Sequence, residues 1–191
     1  MNKFNWKEEN LYKQLYKTTP NYGSDGQRHQ RLVNCIINKH SVKSVMDFGC
    51  GLQHTLLKGI TSKNKKIKAV GYDPGITDEQ QTELLKNSID FNFLPELLIS
   101  NDCLEHVPQE ELFQCWEIFN KLSPKYMFIG VCTRPAYLLL PDGSNAHKTV
   151  MKGEWWEVQF KNNLTNYDVL FIAPFFDFLY NEALFFLTKK N

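Results

Sequence analysis

The stretch Val42-Lys-Ser-Val-Met-Asp-Phe-Gly-Cys-Gly51 decides how this chain folds. It is an apolar strand that breaks into an acidic residue and a glycine-spaced turn. Gly49 and Gly51 carry no Cβ and tolerate φ > 0, so a ligand can approach the backbone closely there. Asp47 sets a carboxylate at the strand's C-terminal edge, where open α/β sheets bind their ligands.

Working outward, strands and helices alternate. Upstream, residues 5–17 predict an amphipathic helix with Trp6, Leu11, Leu15 and Tyr16 on one broad face. Turn residues 18–25 follow. A second helix runs from a cap at Ser24 or Asp25 to about Lys39. Downstream come a short helix over 53–60 and a strand over 68–73 ending in Asp73-Pro-Gly75. A helix is expected over 78–87 and a short edge strand near Ile89–Phe93 with no helix after it, because little chain remains before the next strand. Leu97-Leu-Ile-Ser100 and Tyr126–Cys132 are apolar runs of the kind buried on both faces of a parallel sheet. Helices over 110–122 and 154–162 and two antiparallel strands, 167–172 and 183–188, joined through 174–181, complete the pattern. The expected fold is a doubly wound, mostly parallel α/β sheet of seven strands, or six with a shortened edge. Its last strand is antiparallel. Residues 1–40 form a helical extension that packs on a core of residues 41–191.

Three strand ends carry chemistry. After the glycine turn, Asp73 lies about twenty residues on, where a carboxylate accepts hydrogen bonds from the ribose hydroxyls of an adenosine-containing ligand. It would repel the ribose phosphate of NADP. The third end is Asn101-Asp-Cys-Leu-Glu-His106. The order strand–DxGxG–helix, strand–Asp, strand–NDxLEH resembles the class I S-adenosylmethionine-dependent methyltransferases, by motif over residues 42–133. The resemblance implies that Asp47, Gly49, Cys50 and Gly51 lie under the methionine part of S-adenosyl-L-methionine, and that Asp73 and Pro74 meet its ribose. Asn101 and Asp102 line its methionine end, and Leu104 packs near the adenine or in the core. Gln53 stands where many members carry a third glycine. Tyr22 and Gly23 occupy a loop that relatives often lay across the cofactor.

The loop after the fifth parallel strand is the expected acceptor site, with Tyr137, His147, Trp155 and Trp156 as candidate walls. His147 is the candidate base for a hydroxyl acceptor, because imidazole transfers protons near neutrality. His106 and Asp102 complete the candidate catalytic set. An alternative groups Asp102, Glu105, His106 and His147 about a divalent ion. That grouping distantly resembles the metal-dependent small-RNA 2′-O-methyltransferases, which carry E-x-x-E-H and a later His.

Composition narrows the partners. The chain has 191 residues and a net charge of +1, with 19 Lys but only 3 Arg. Neither a general electrostatic pull on nucleic acid nor an extended Arg-built phosphate-reading surface is therefore expected. Five cysteines without a CxxC pair fit a reducing cytosol. The start has no signal-peptide core, and no apolar run approaches the roughly 18 residues of a membrane span. The expectation is a cytoplasmic, monomeric or homodimeric methyltransferase. It uses no metal and transfers a methyl group to oxygen or nitrogen of a small polar acceptor, such as a sugar, a nucleotide-sugar or a related metabolite. A non-catalytic S-adenosylmethionine-binding partner protein is the remaining alternative.

Overall fold

The computed structural model describes residues 6–172 and 181–190, with backbone only at 24–26. Seven strands form one sheet in the order β3-β2-β1-β4-β5-β7-β6. They are β1 (Ser44–Phe48), β2 (Lys68–Tyr72), β3 (Leu85–Lys86), β4 (Leu97–Asn101), β5 (Tyr126–Cys132), β6 (Tyr167–Ile172) and β7 (Glu182–Lys189). β7 runs antiparallel to both β5 and β6, and the pairings among β1 to β5 are all parallel. The helices are α1 (Glu9–Thr18), α2 (Gln30–His40), α3 (Thr55–Lys63), α4 (Leu112–Leu122) and α5 (Gly153–Asn163).

Period-2 alternation divides the core. Val45, Leu97, Ile99 and Phe128 face α2 and α3, meeting Val33, Ile36, Ile37, Leu56, Leu57 and Ile60. Met46, Phe48, Leu98, Met127 and Ile129 face the other way, onto α1, α4 and α5, with Leu15, Phe119, Trp156 and Phe160. The chain before β1 thus covers both faces, α1 on one and α2 on the other. In the tail, Phe171 stacks on the fully buried Phe185 at 4.9 Å between ring centroids.

Two expectations change. Residues 78–87 do not form a helix. Thr77 and Gln80 close a capping box around a single 3₁₀ turn over Asp78–Gln80, and the chain then extends so that Leu85 pairs with Gly71 and is buried. The edge strand therefore falls at Leu85–Lys86, two residues long, and not at Ile89–Phe93. No helix follows it, as expected. The second helix is preceded by a 3₁₀ segment, Ser24–His29. Its expected side-chain cap at Ser24 or Asp25, and the connection 174–180, lie outside what is described.

Candidate active site

At the C-terminal ends of β1, β2 and β4 lies a cavity of about 430 Å³. Its floor includes Asp47, Gly49, Cys50, Gly51, Asp73, Pro74, Asn101 and Asp102, and its far wall includes His106, Tyr137 and His147. One sequence candidate is elsewhere. Leu104 is fully buried in the core behind the wall, because the 3₁₀ turn Leu104–His106 directs it inward while His106 faces the cavity. Of the expected walls, Trp156 is a core residue with no exposure, and Trp155 packs beside it at 5.0 Å. α5 turns both away from the cavity.

The glycine turn is shaped by the chain itself. Gly49 has φ +81° and Gly51 φ +65°, both in the left-handed region that favours glycine. A Cβ on Gly49 would lie 2.1 Å from Cys103 Sγ, and one on Gly51 would lie 3.0 Å from the Gly23 carbonyl oxygen. These glycines thus admit the segment after β4 and the loop before α2. Gln53, at the third-glycine position, donates to Pro20 O at 2.9 Å and ties the turn to the same N-terminal loop.

Asp73 is buried and fully engaged on one oxygen. Oδ2 accepts from the Tyr16 hydroxyl and the Gly51 amide, both at 2.9 Å, and Oδ1 accepts from the Gly75 amide at 2.8 Å. Burial pushes its carboxyl up, and these bonds oppose the shift. Asp47, also buried, is pushed up to about 7 by burial and by the charge of Asp73. Asn101 adds a buried Oδ1 without a partner among the described residues. A floor of left-handed backbone, a carboxylate at the β2 end and an unsatisfied amide oxygen at the β4 end fit a ligand with a ribose at one end and an amino acid at the other.

Asp102 has φ +49°, a backbone state that Asp tolerates better than most residues. Its carboxylate pairs with Arg28, which also pairs with Glu182 at the start of β7. His29 joins the cluster through Nε2 to Glu182, at 2.9 Å. Burial and the charges of Glu105 and Glu182 raise Asp102, with Arg28 opposing. Burial would raise Glu182 too, but the hydrogen bond from His29, a proton shared with and held on Asp102, and the Arg28 charge keep it below its ordinary value.

At the other end, two histidines meet edge to face at 4.7 Å between centroids. His106 Nδ1 lies 2.9 Å from Ala146 O and 2.6 Å from the Tyr12 hydroxyl; His147 Nδ1 lies 2.6 Å from Arg134 O. A carbonyl oxygen only accepts, so in His147 Nδ1 carries the proton and Nε2 keeps the lone pair. Burial, then the neighbouring His147, lowers His106 to about 3; burial also lowers His147. Both imidazoles are neutral at pH 7. The loop that brings His147 here is anchored by the amides of Lys148 and Thr149 on Glu105 O, at 2.7 and 2.9 Å.

The proposed metal quartet does not assemble as the sequence suggested. Asp102 is taken by Arg28, and His106 Nδ1 by Ala146 and Tyr12. Glu105 and His147 instead converge with Cys132, their candidate ligand atoms all within 4.8 Å of one another. Glu105 is fully buried; Oε1 accepts from the Cys132 amide at 2.9 Å, and Oε2 has no partner among the described residues.

Sequence reading missed Tyr12, Tyr16, Arg28 and Glu182, all of which line the cavity. Only the tyrosines left a signal. Two phenols at i and i+4 on an apolar helical face place two hydroxyls on a surface that otherwise wants none.

No protein-family model and no curated protein matches this sequence. Solved structures do match it. The methyltransferase domain of bacterial CtHen1 aligns with 85% of this chain and 98% of its own, at 17% identity and TM-score 0.60. Human N-acetylserotonin methyltransferase in complex with SAM aligns over 98% of this chain and 61% of its own, at 13% identity and TM-score 0.63. The Burkholderia thailandensis 1,6-didemethyltoxoflavin-N1-methyltransferase, with bound 1,6-didemethyltoxoflavin and S-adenosylhomocysteine, aligns over 95% and 88%, at 12% identity and TM-score 0.61. The fold is therefore the Rossmann-like fold of the class I S-adenosylmethionine-dependent methyltransferases. Among the described residues no helix is long and apolar enough to cross a membrane.

Proposed function

We propose that this chain is an S-adenosylmethionine-dependent methyltransferase acting on oxygen or nitrogen of a small acceptor. One observation carries the reading: a single cavity joins the glycine turn and Asp73 to a pair of neutral imidazoles. Asp73 would hold the ribose, the 49–51 turn and Asn101 the methionine end, with Asp102 and its Arg28 partner beside it. When bound, the sulfonium supplies a methyl group on a good leaving group. The protein's share is then alignment of the acceptor and removal of its proton. His147 is suited to the second task, since its Nδ1–H is spent on Arg134 O and Nε2 stays basic. His106 holds the adjoining wall.

The acceptor end is walled by Trp6, Tyr12, Tyr22, Val107, Ala136 and Leu138. A sugar buried among these groups would leave several hydroxyls unpaired, each at a cost. The walls suit a compact acceptor with a flat apolar body and one nucleophilic atom better than the sugar suggested by the sequence alone. The N-terminal segment 6–40, on this reading, belongs to the catalytic unit, because α1 supplies part of both ends of the cavity.

Calorimetry tests the assignment. S-Adenosylmethionine and S-adenosylhomocysteine are expected to bind and NAD is not. Asp73→Ala should weaken the first two by at least roughly 1–2 kcal/mol. Tight NAD binding would overturn the reading.

A second reading is metal-assisted 2′-O-methylation of RNA, favoured by the cluster of Glu105, Cys132 and His147 with its unpartnered carboxylate oxygen. Those donors suit a borderline ion such as zinc better than magnesium. Activity on a small RNA that is lost with chelator and restored by metal would favour it. Activity on small acceptors indifferent to chelator would remove it.

A further inference from the structure

A carboxylate offers about four lone-pair sites. In Asp73 three are filled by the chain itself: Oδ2 by the Tyr16 hydroxyl and the Gly51 amide, and one site of Oδ1 by the Gly75 amide. A ribose brings two vicinal hydroxyls, so Asp73 alone has a place for one of them. Tyr16 has spent its only proton on Asp73, but its oxygen still accepts. Both residues line the cavity.

Tyr16 is also fixed where it stands. It is buried, and its ring edge lies over Gly75, where an added Cβ would come within 2.8 Å of Tyr16 Cε2. Tyr12 and Tyr22 flank the ring at 6.3 and 6.4 Å between centroids. Swinging it out would expose a buried aromatic ring and leave a buried carboxylate short of a donor.

We propose that Tyr16 is a nucleoside-binding residue: the ribose diol divides between Asp73 Oδ1 and the Tyr16 hydroxyl oxygen, so the cofactor site is shared between the N-terminal helix and the sheet. The inference rests on the methyltransferase reading and adds to it a contact from α1, outside the motif-bearing segment 42–133.

The test is calorimetry of the full chain, wild type and Tyr16→Phe, with S-adenosylhomocysteine and its 2′-deoxy and 3′-deoxy analogues. Tyr16→Phe should weaken S-adenosylhomocysteine roughly three- to tenfold. For the analogue lacking the hydroxyl that faces Tyr16, the two proteins should bind alike within about twofold, while the other analogue keeps the full difference. Equal weakening for all three ligands would mark Tyr16 as merely structural and overturn the proposal. So would tighter binding by Tyr16→Phe, which would make Tyr16 a competitor for Asp73. Wild type that binds none of the three overturns the methyltransferase reading itself, whereas binding that is blind to Tyr16 overturns only this inference. A crystal structure of the wild-type complex needs no variant: a ribose oxygen within about 3.2 Å of Tyr16 Oη is required, and a Tyr16 ring turned out of the site refutes it.

Discussion

The guanidinium of Arg28 is paired with the carboxylate of Asp102, across 74 residues of sequence. The same guanidinium meets Glu182, and Glu105 lies near enough for its charge to raise Asp102. Arg28 therefore compensates a crowded group of acids at the β4 end of the cavity.

Replacing Arg28 with Met should destabilise the protein by roughly 3 kcal/mol, the lower end of the cost of breaking a buried ion pair. The lower end applies because the Arg28 and Asp102 side chains keep 23% and 24% of their exposure. Urea denaturation of Arg28→Met and of the double variant Arg28→Met/Asp102→Asn checks it. The second change removes one uncompensated acid, so the double variant should recover part of the loss. Equal stability of Arg28→Met and wild type would show that the cluster contributes nothing.

Asp47 gives a prediction with a definite sign. Its folded-state pKa, raised to about 7 by burial and then by Asp73, lies above the ordinary value of 3.8. Between those values the folded chain holds a proton that the unfolded chain has released. Wild-type stability from this group therefore falls as pH climbs through the window and is at its lowest above about 7. Asp47→Asn does not titrate. The variant's stability relative to wild type should rise steadily from about pH 4 to pH 7.5 in paired urea titrations. A flat difference across that range would mean that Asp47 is ionised at little cost.

What could be read from the sequence was what is encoded locally. Val42–Gly51 announced itself because the strand, the acid and the two glycines are contiguous. Leu97–Ser100 and Tyr126–Cys132 did so because burial on both faces demands unbroken apolar runs. Asp78-Glu-Gln-Gln-Thr-Glu-Leu-Leu85 misled because its helix propensity is high. Pairing of Leu85 beside Gly71 overrides that propensity, a tertiary effect with no local mark. The same holds at the site. The motif positions stand out in the sequence, but Arg28 and Glu182 reach Asp102 only through folding, and the pairing with Arg28 engages one member of the metal quartet that the sequence suggested.

Gly49 should be intolerant of alanine for a reason unrelated to any ligand. Its φ of +81° costs an L-residue roughly 1–2 kcal/mol, and the new Cβ would overlap Cys103 Sγ at 2.1 Å. A loss of at least about 2 kcal/mol is expected, a fall of roughly 4–8 °C in Tm for a chain of this size. Adding Cys103→Gly should restore the overlap part and leave the backbone part. Thermal melts of both variants decide it, and a Gly49→Ala protein as stable as wild type would show that the turn relaxes freely.

His147 carries the chemical prediction. Its Nδ1–H is committed to Arg134 O, and burial lowers its pKa below 6.5. The basic form is thus the majority species over a wider acidic range than for a free imidazole. With an acceptor in hand, wild-type kcat should climb with pH and level off, the midpoint of the rise lying below pH 6.5. His147→Ala should lower kcat by about a hundredfold or more, as loss of a general base does, and erase that acidic limb. S-Adenosylhomocysteine affinity should change little, because the proposed ribose and methionine contacts come from other residues. A variant that retains both rate and limb would place the base elsewhere, with His106 the next group to replace. A variant whose KM alone rises would make His147 a wall of the acceptor pocket and nothing more.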